Sequence, residues 1–436
     1  MINLFFRRII LSSVFLSLVI VMPAHARKIN ILVQPFEYKG NRQFSWISAG
    51  MTDTVTSDLA KIKDINVISN KDRKGILSEL NLTQSGLVSN ETEIKAGKLI
   101  GADVIFSGSC QVSGNRIRVN AKLIDVETGK VESSSKLDGT IKNIFDLQDK
   151  VVLSLMTEME KIKIADRGPV RLTEEGKKKI DEKYKPTGDA YGWYSRGLKI
   201  QDTDPRMALE YFEKAIEIDV NYLNPLIRAG YIAGRTLNNF NESHRYFDKA
   251  KIILETRRET NSFDYADLMM NIGIVYFVEG QLGLALKYAI DAKVIFDKLG
   301  IQDSVIYSDL LMNIGNGYIV KGQLDLAMKY YSDSQNIKDK LGLQNSVNYA
   351  NTMMNIGILY SFKGQTDLAL QYFEHARTIS NRLGLQNTAD YASLLMNIGH
   401  IYVNKGQLDM ALNLYQHSQS VQNRHGLQKT SLYASL

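Results

Sequence analysis

The chain has 436 residues, of which 44% are apolar and 23% are charged, and these proportions exclude a collagen-like, a disordered and a multi-span membrane protein. The formal net charge of +6 is small for this length, so the composition does not predict nucleic-acid binding. The single cysteine, Cys110, excludes an intrachain disulfide and any CxxC metal or redox motif.

Residues 1–26 have the three parts of a secretory signal peptide. Arg7 and Arg8 precede an apolar stretch at 9–22, and Ala24 and Ala26 form an Ala-x-Ala cleavage site. At about 1.5 Å per residue this stretch is too short to cross a hydrocarbon core of about 30 Å as a helix. We therefore expect cleavage after Ala26 and export, with at most peripheral membrane association. Retention of the segment as an anchor is the alternative.

Residues 27–165 predict an α+β domain in which helices pack on a mixed sheet. Strand and helix patterns alternate first, and three consecutive strand candidates then follow, separated by turn residues typical of hairpins. The strand candidates are 29–33, 65–68, 102–112, 116–126 and 131–137, and the helical patterns are 44–62, 72–80, 91–100 and 144–162. This order predicts a sheet whose last three strands form a meander.

Several segments of this domain resemble one group of bacterial envelope domains. They are Val33-Gln-Pro-Phe36, the stretch Gly-Ala-Asp-Val-Ile-Phe-Ser-Gly at 101–108, the strand at 116–125 with Glu127-Thr-Gly129, and the helix start at 143–149. In this order they are similar to the TolB-amino-terminal-like and curli-assembly (CsgG-like) domains. The resemblance implies docking to an envelope complex or a homo-oligomer, in the periplasm or at the outer membrane of a Gram-negative bacterium.

Residues 166–188 are rich in charge and are bounded by Pro169 and Pro186, which predicts a linker. Beyond it, residues 189–436 contain a repeat of 42 residues. A Met-Asn-Ile-Gly motif places asparagine at Asn271, Asn313, Asn355 and Asn397. Glycines recur at the same spacing at Gly280, Gly322, Gly364 and Gly406. Agreement between independent spacings indicates an internal repeat.

Each unit predicts a helical hairpin. In the third unit Met353, Ile356 and Tyr360 lie on one helical stripe, Gly364 can end that helix, and a second apolar stripe begins at Leu368. One hairpin cannot cover its own apolar faces, so the units are expected to stack into an all-α superhelical solenoid.

The repeat resembles the tetratricopeptide repeat, in the 42-residue form of kinesin light chains, where Asn-Asn-Leu-Ala replaces Met354-Asn-Ile-Gly357. Two degenerate units precede, marked by Phe212 and Phe247, which gives about six repeats. Tyr433 opens another unit that stops after four residues. We expect either a fragment truncated within a repeat or a last hairpin covered by a partner or a second copy.

The four repeated asparagines are the candidate binding residues. The resemblance implies that Asn271, Asn313, Asn355 and Asn397 lie on the first helix of each hairpin, along the inner surface, and bind peptide. Carboxamides about 10 Å apart can donate to and accept from an extended backbone. The alternative is that they hydrogen-bond neighbouring helices. Residues 265–430 carry 13 basic and 13 acidic side chains, which favours protein or peptide ligands over phosphates.

Motifs for catalysis are absent from the sequence. It contains no GxxxxGK[ST], HExxH or GxSxG motif, and its six histidines lack the spacing of a zinc site. We therefore expect no enzyme activity, no cofactor and no metal. The sequence predicts an exported adaptor or scaffold that binds peptide or protein partners through the solenoid groove. The alternative is a component of an outer-membrane assembly or secretion complex that oligomerises through the N-terminal domain.

Overall fold

The structure is a computed structural model that describes residues 28–62, 64–68, 94, 97–98, 100–159 and 184–424. Its N-terminal part is a six-stranded mixed sheet with helices packed on it, and an all-helical solenoid follows. This architecture confirms the predicted fold class. The helix expected at 72–80, most of the helix expected at 91–100 and nearly all of the expected linker at 166–188 lie outside the described residues.

The sheet combines parallel and antiparallel pairing. Its strands are β1 (Ile29–Val33), β2 (Glu37–Gly40), β3 (Ile65–Val67), β4 (Val104–Ser113), β5 (Arg116–Asp125) and β6 (Val131–Thr140). Strand β1 lies between β3 and β4 and is parallel to both, which explains why all of its residues are buried. Strands β4, β5 and β6 form the predicted antiparallel meander.

Strand β2, which the sequence did not predict, pairs in parallel with the second half of β4. Its Glu-Tyr-Lys-Gly sequence has no apolar alternation because none of its residues is fully buried.

Two helices pack on one face of the sheet. They are α1 (Trp46–Ala60) and α2 (Ile144–Met159). Met51 of α1 and Val151 of α2 share a buried cluster with Phe106 and Cys110. Burial raises the pKa of the Cys110 thiol to about 12, so this thiol is a core residue and not a reactive nucleophile.

The described residues of the solenoid contain six helical hairpins. Their helices are α3 (Gly188–Ile200) and α4 (Pro205–Ile218), α5 (Leu223–Tyr231) and α6 (Phe240–Thr256), α7 (Phe263–Val278) and α8 (Leu282–Leu299), α9 (Val305–Val320) and α10 (Leu324–Leu341), α11 (Val347–Phe362) and α12 (Thr366–Arg382), and α13 (Ala389–Asn404) and α14 (Leu408–Arg424). A π-helical turn, Ile232–Thr236, extends α5.

Repeated capping residues set the ends of these helices. Ser304 and Ser346 precede α9 and α11, and each hydroxyl accepts a hydrogen bond from the backbone N–H three residues later. Gly322 and Gly364 follow the first helices with φ of +72°, a left-handed conformation that favours glycine. The 42-residue period is therefore a period of helix starts and stops.

Within a hairpin, a glycine of the first helix faces an aromatic side chain of the second. A Cβ added at Gly357 would lie 2.6 Å from the ring of Phe373, so only glycine allows this approach. The same contact is made by Gly197 with Phe212, Gly230 with Phe247, Gly315 with Tyr331 and Gly399 with Tyr415. In the third hairpin, Gly273 faces Ala289 instead.

The N-terminal domain packs directly against the solenoid. A carboxylate of α1, Asp53, accepts a hydrogen bond from the Tyr194 hydroxyl at 2.8 Å and pairs with Arg228 at 3.1 Å. Further along, Lys61 pairs with Asp264 at 3.0 Å. Helix α1 and Lys61, the residue that follows it, therefore contact the first helices of three successive hairpins.

The sheet continues this interface. The Asn66 carboxamide oxygen accepts a 3.0 Å hydrogen bond from the Val305 backbone N–H at the start of α9, and Asn30 donates to the Leu341 carbonyl at 2.7 Å. Leu32 and Ile105 share a buried cluster with Val347 of α11. The N-terminal domain thus contacts five consecutive hairpins, an arrangement that the sequence did not predict. None of the described helices combines the length and the apolar character needed to cross a membrane.

Candidate functional site

The first helices of the last four hairpins lie side by side and present one continuous surface. Neighbouring first helices contact one another along α7, α9, α11 and α13, which places them on the inner side of the stack. The N-terminal domain covers the amino-terminal ends of α7 and α9, at Asp264 and Val305. We call the inner surface of these four helices the groove.

The four sequence-predicted asparagines occupy equivalent places on the groove helices. Asn271, Asn313, Asn355 and Asn397 are each half-buried, one on each first helix. The Asn271 amide nitrogen donates to the Asp267 carbonyl one turn earlier, at 2.8 Å. Among the described residues, the side-chain amides of the other three make no hydrogen bond that would tie them to a neighbouring helix. We refer to these four residues as the asparagine ladder.

Apolar side chains are exposed near the carboxyl ends of the same helices. Phe277 of α7, Val320 of α9, Phe362 of α11 and Val403 of α13 are exposed, and Phe362 reaches 64%. Large exposed apolar groups close together are typical of interaction surfaces. The groove therefore combines amide groups with an apolar margin, which suits a polypeptide that has both a polar backbone and apolar side chains.

A cavity of about 500 Å³ opens between the third and fourth hairpins. Asn313 of the asparagine ladder contributes to its wall together with Asn316, and Met270 and Phe277 line the opposite side. The volume is within the usual range for ligand-binding pockets, about 300–1,000 Å³.

Lys338, on α10, is a buried charge that sequence reasoning missed. Its side chain is 0% exposed, and its ammonium lies 3.3 Å from Asp309 and donates to the Thr352 hydroxyl at 3.0 Å. Equivalent positions in the other 42-residue units hold Phe296, Ser380 and Gln422. This departure from the repeat was the signal in the sequence. Lys338 and Asp309 carry opposite charges, so the pair leaves the net charge of the groove wall near zero.

Asp267 has the most perturbed carboxyl of the groove helices. Burial raises the pKa of this carboxyl to about 6, and Arg228 opposes the shift. The side chain lies between the groove and the docked N-terminal domain, close to Lys61 and Asp264. Burial at the interface with the N-terminal domain accounts for the raised pKa of Asp267, since structural ion-pair networks also perturb pKa values.

Within the part of the chain that the structure describes, no group of three or more histidine, cysteine, aspartate or glutamate side chains is placed to hold a metal ion. Helices α13 and α14 carry His400 and His417, and each histidine packs against a tyrosine ring.

Family models match both halves of the chain. The model described as peptidoglycan-synthase activator LpoB matches residues 24–136. Two models of the tetratricopeptide repeat match residues 307–382 and 392–425. The repeats of the solenoid are therefore similar to tetratricopeptide repeats. The N-terminal match is to LpoB and not to the TolB- or CsgG-like group that the sequence motifs suggested.

A curated relative and several solved structures are also similar. Putative adenylate cyclase 3 of Rhizobium meliloti (strain 1021) is 23% identical over 205 residues, which are 45% of this chain and 31% of that protein. The chain thus matches less than a third of that relative.

Among structures, BtubC from P. vanneervenii is 16% identical, with coverage of 54% of this chain and 89% of that one at a TM-score of 0.41. A putative kinesin light chain from Podosopora anserina is 13% identical, with coverage of 47% and 97% at a TM-score of 0.39.

Proposed function

We propose that this protein is an exported adaptor that binds a peptide or protein partner in the groove of its solenoid. The observation that carries the proposal is the asparagine ladder. Three of its four amides make no hydrogen bond to other described residues, and Asn313 lines the cavity between the third and fourth hairpins. An amide offers both a donor and an acceptor, so a row of amides can pair with an extended backbone whatever its side chains.

The proposal also assigns a role to each of four segments of the chain. Residues 1–26 act as a signal peptide, 27–165 as the envelope domain, 166–188 as a linker and 189–436 as the partner-binding solenoid. The likeness of residues 24–136 to a peptidoglycan-synthase activator supports a place in the cell envelope, in the periplasm or at the outer membrane. We propose that the N-terminal domain docks to an envelope complex there, and we assign the chain no catalytic role.

A peptide-display selection tests the binding function. A random-peptide library is selected on the full chain from residue 27, and the enriched peptides are synthesised with a fluorescent label and titrated by anisotropy. The double variant Asn313→Ala with Asn355→Ala is expected to weaken binding at least tenfold. Each lost amide removes hydrogen bonds that are worth about 0.5–1.5 kcal/mol apiece.

The matched control replaces two exposed asparagines of second helices, Asn336→Ala with Asn413→Ala. It should bind like the wild type, and both double variants should keep the wild-type melting temperature. Equal affinities for the ladder variant and the control would refute the assignment. So would a loss of affinity that merely follows a lower melting temperature, because the amides would then be structural.

A further inference from the structure

One repeat lacks the aromatic side chain that the others place between their helices. Five hairpins pack an aromatic ring against a glycine, and in the fourth and fifth hairpins the rings, Tyr331 and Phe373, are almost fully buried. The third hairpin has Ala289 at this position, facing Gly273. Helices α7 and α8 therefore lack the aromatic ring that lies between the two helices of the other five hairpins.

The helices of this hairpin have not closed the space. A Cβ placed on Gly273 would lie 3.1 Å from the Ala285 carbonyl, and a Cβ on Gly357 of the fifth hairpin would lie 3.2 Å from the equivalent Ala369 carbonyl. The helix separation is thus the same with and without the ring. The volume that a ring would fill stays open and becomes part of the cavity of about 500 Å³ lined by Gly273 and Ala289.

The lining of this cavity is apolar inside and polar at one side. Met270, Ile274 and Leu286 supply apolar surface. Asn313 and Asn316 supply amides from α9. In the neighbouring hairpin Asn316 already accepts a hydrogen bond from the hydroxyl of Tyr331. The Asn316 carboxamide therefore borders both the Tyr331 ring of its own hairpin and the cavity, where the third hairpin has no ring.

We infer that this cavity is a specificity pocket that receives one aromatic side chain, phenylalanine, tyrosine or tryptophan, of the bound polypeptide. The inference rests on the proposed binding function and adds the class of residue that the groove selects. An aromatic ring placed against Met270, Ile274 and Leu286 would remove apolar surface of both the ring and the cavity wall from water, which favours binding. The ligand ring would take the place that Tyr331 and Phe373 take in their own hairpins, while Asn313 holds the adjoining backbone.

Arg235 stands at the wall of the cavity and gives it a charged border. Its side chain is exposed and makes no ion pair among the described residues. A carboxylate next to the aromatic residue of the ligand would complement it. We therefore expect selected peptides to carry an aromatic residue with an acidic residue or a free carboxyl terminus beside it.

Methionine-methyl NMR tests the pocket directly. The full chain from residue 27 is labelled with ¹³C-methyl methionine, and the Met270 signal is assigned from a Met270→Leu variant. N-acetyl-L-phenylalanine amide and N-acetyl-L-tryptophan amide, at millimolar concentrations, should shift the Met270 methyl signal through the ring current. N-acetyl-L-alanine amide should not shift it. Absence of a shift with both aromatic probes would overturn the inference.

The variant Ala289→Phe should abolish the shift, because it fills the cavity as Phe373 does in its own hairpin. It should also raise the melting temperature. The control Ala389→Phe adds the same ring at an exposed position at the start of α13 and should leave the shift intact. If Ala289→Phe does not fold, Ala289→Leu takes its place. An unchanged probe-induced Met270 shift in a folded pocket-filling variant would refute the pocket.

The pocket and the proposed binding function can fail separately. If display-selected peptides depend on the asparagine ladder but contain no aromatic residue and bind Ala289→Phe normally, the groove binds peptides and the pocket inference is wrong. If the aromatic probes shift Met270 but the selection yields no peptide that depends on the ladder, the cavity binds aromatic groups and the proposed function is wrong.

Discussion

In the fifth hairpin, one aromatic side chain fills the space between the two helices. Phe373 is almost fully buried, and its ring touches the backbone of the facing helix at Gly357. Tyr372, its neighbour, is half-buried and stacks on Tyr360 with ring centroids 5.3 Å apart. The two adjacent aromatic residues therefore differ in burial while they share a helix.

We expect Phe373→Ala to lower the free energy of unfolding by about 3–5 kcal/mol, because it removes a buried ring and leaves a cavity. Tyr372→Ala should cost about 1 kcal/mol, since a half-buried stacked pair contributes less. Urea unfolding followed by circular dichroism measures both. Equal losses would mean that the glycine contact has no special role.

Asp267 should make stability depend on pH. Its pKa is raised to about 6, so between about pH 4 and pH 6 the native state holds a proton that the unfolded chain has released. The free energy of unfolding therefore falls as the pH rises through this window and does not change further above it. Because the side chain is only half-buried, the effect is on the order of 1 kcal/mol.

The comparison of wild type with Asp267→Asn isolates this effect. The stability of the wild type relative to the variant should decrease from pH 4 to pH 6, as measured by urea unfolding. The control is Asp325→Asn, since a hydrogen bond from Lys363 lowers the pKa of Asp325. Its effect has the opposite sign and falls below about pH 4, where wild-type stability is lost as the pH falls through the lowered pKa, so the Asp325→Asn difference should be nearly constant from pH 4 to pH 6. A flat difference for Asp267→Asn would contradict the prediction.

At the scale of helices, side chains at equivalent positions of different repeats differ in burial. Leu286 of α8 is 4% exposed and packs against Gly317 of the next hairpin, whereas the equivalent Leu412 of α14 is 55% exposed. No described helix covers Leu412. Second-helix side chains of the inner hairpins are therefore more buried, because the next hairpin in the stack covers them.

Leu286→Ala is expected to lower the free energy of unfolding by about 2–5 kcal/mol, and Leu412→Ala to change it by less than about 0.5 kcal/mol. Thermal and urea unfolding of the two variants measure the difference. A large loss from Leu412→Ala would show that its side chain is covered in solution, for example by a second copy.

The sequence predicted most elements because their signals are local. Serine caps, left-handed glycines and the apolar stripes of α9 and α11 all lie within one 42-residue unit. Strand β2 was missed because β4, the strand with which it pairs, is about seventy residues away and because its own sequence has no apolar alternation. The cavity and Lys338 were also missed, since both depend on which side chains meet across hairpins. The position of the asparagine ladder on the first helices could be predicted, but not that Asn271 alone of the four amides hydrogen-bonds another described residue.

At the scale of the whole molecule, the two halves pack against each other across an extended interface. Gly50 of α1 sits against α3, where an added Cβ would lie 2.1 Å from the Ser195 hydroxyl and 2.4 Å from that of Tyr191. Gly188, at the start of α3, has no heavy atom within 4 Å of an added Cβ. A substitution at Gly50 therefore tests docking, and the same substitution at Gly188 measures the general effect of a larger side chain.

Gly50→Leu should push α1 away from α3 and weaken docking. Hydrogen exchange is expected to increase in α1 and α3 while the asparagine ladder helices α11 and α13 stay protected, and small-angle scattering should show a larger radius of gyration. Gly188→Leu is the control and should match the wild type in both measurements. Unchanged exchange in Gly50→Leu would mean that the interface does not depend on this contact.

The contacts of the N-terminal domain with five consecutive hairpins also bear on elasticity. A solenoid joined only through neighbouring repeats can stretch and twist like a spring, because each junction yields a little. Here Asp53 of α1 and Asn66 and Asn30 of the sheet hydrogen-bond several hairpins to one domain, so bending the superhelix would break several hydrogen bonds at once. The curvature is thus set within the chain itself, and a ligand would meet a surface that needs little ordering on association.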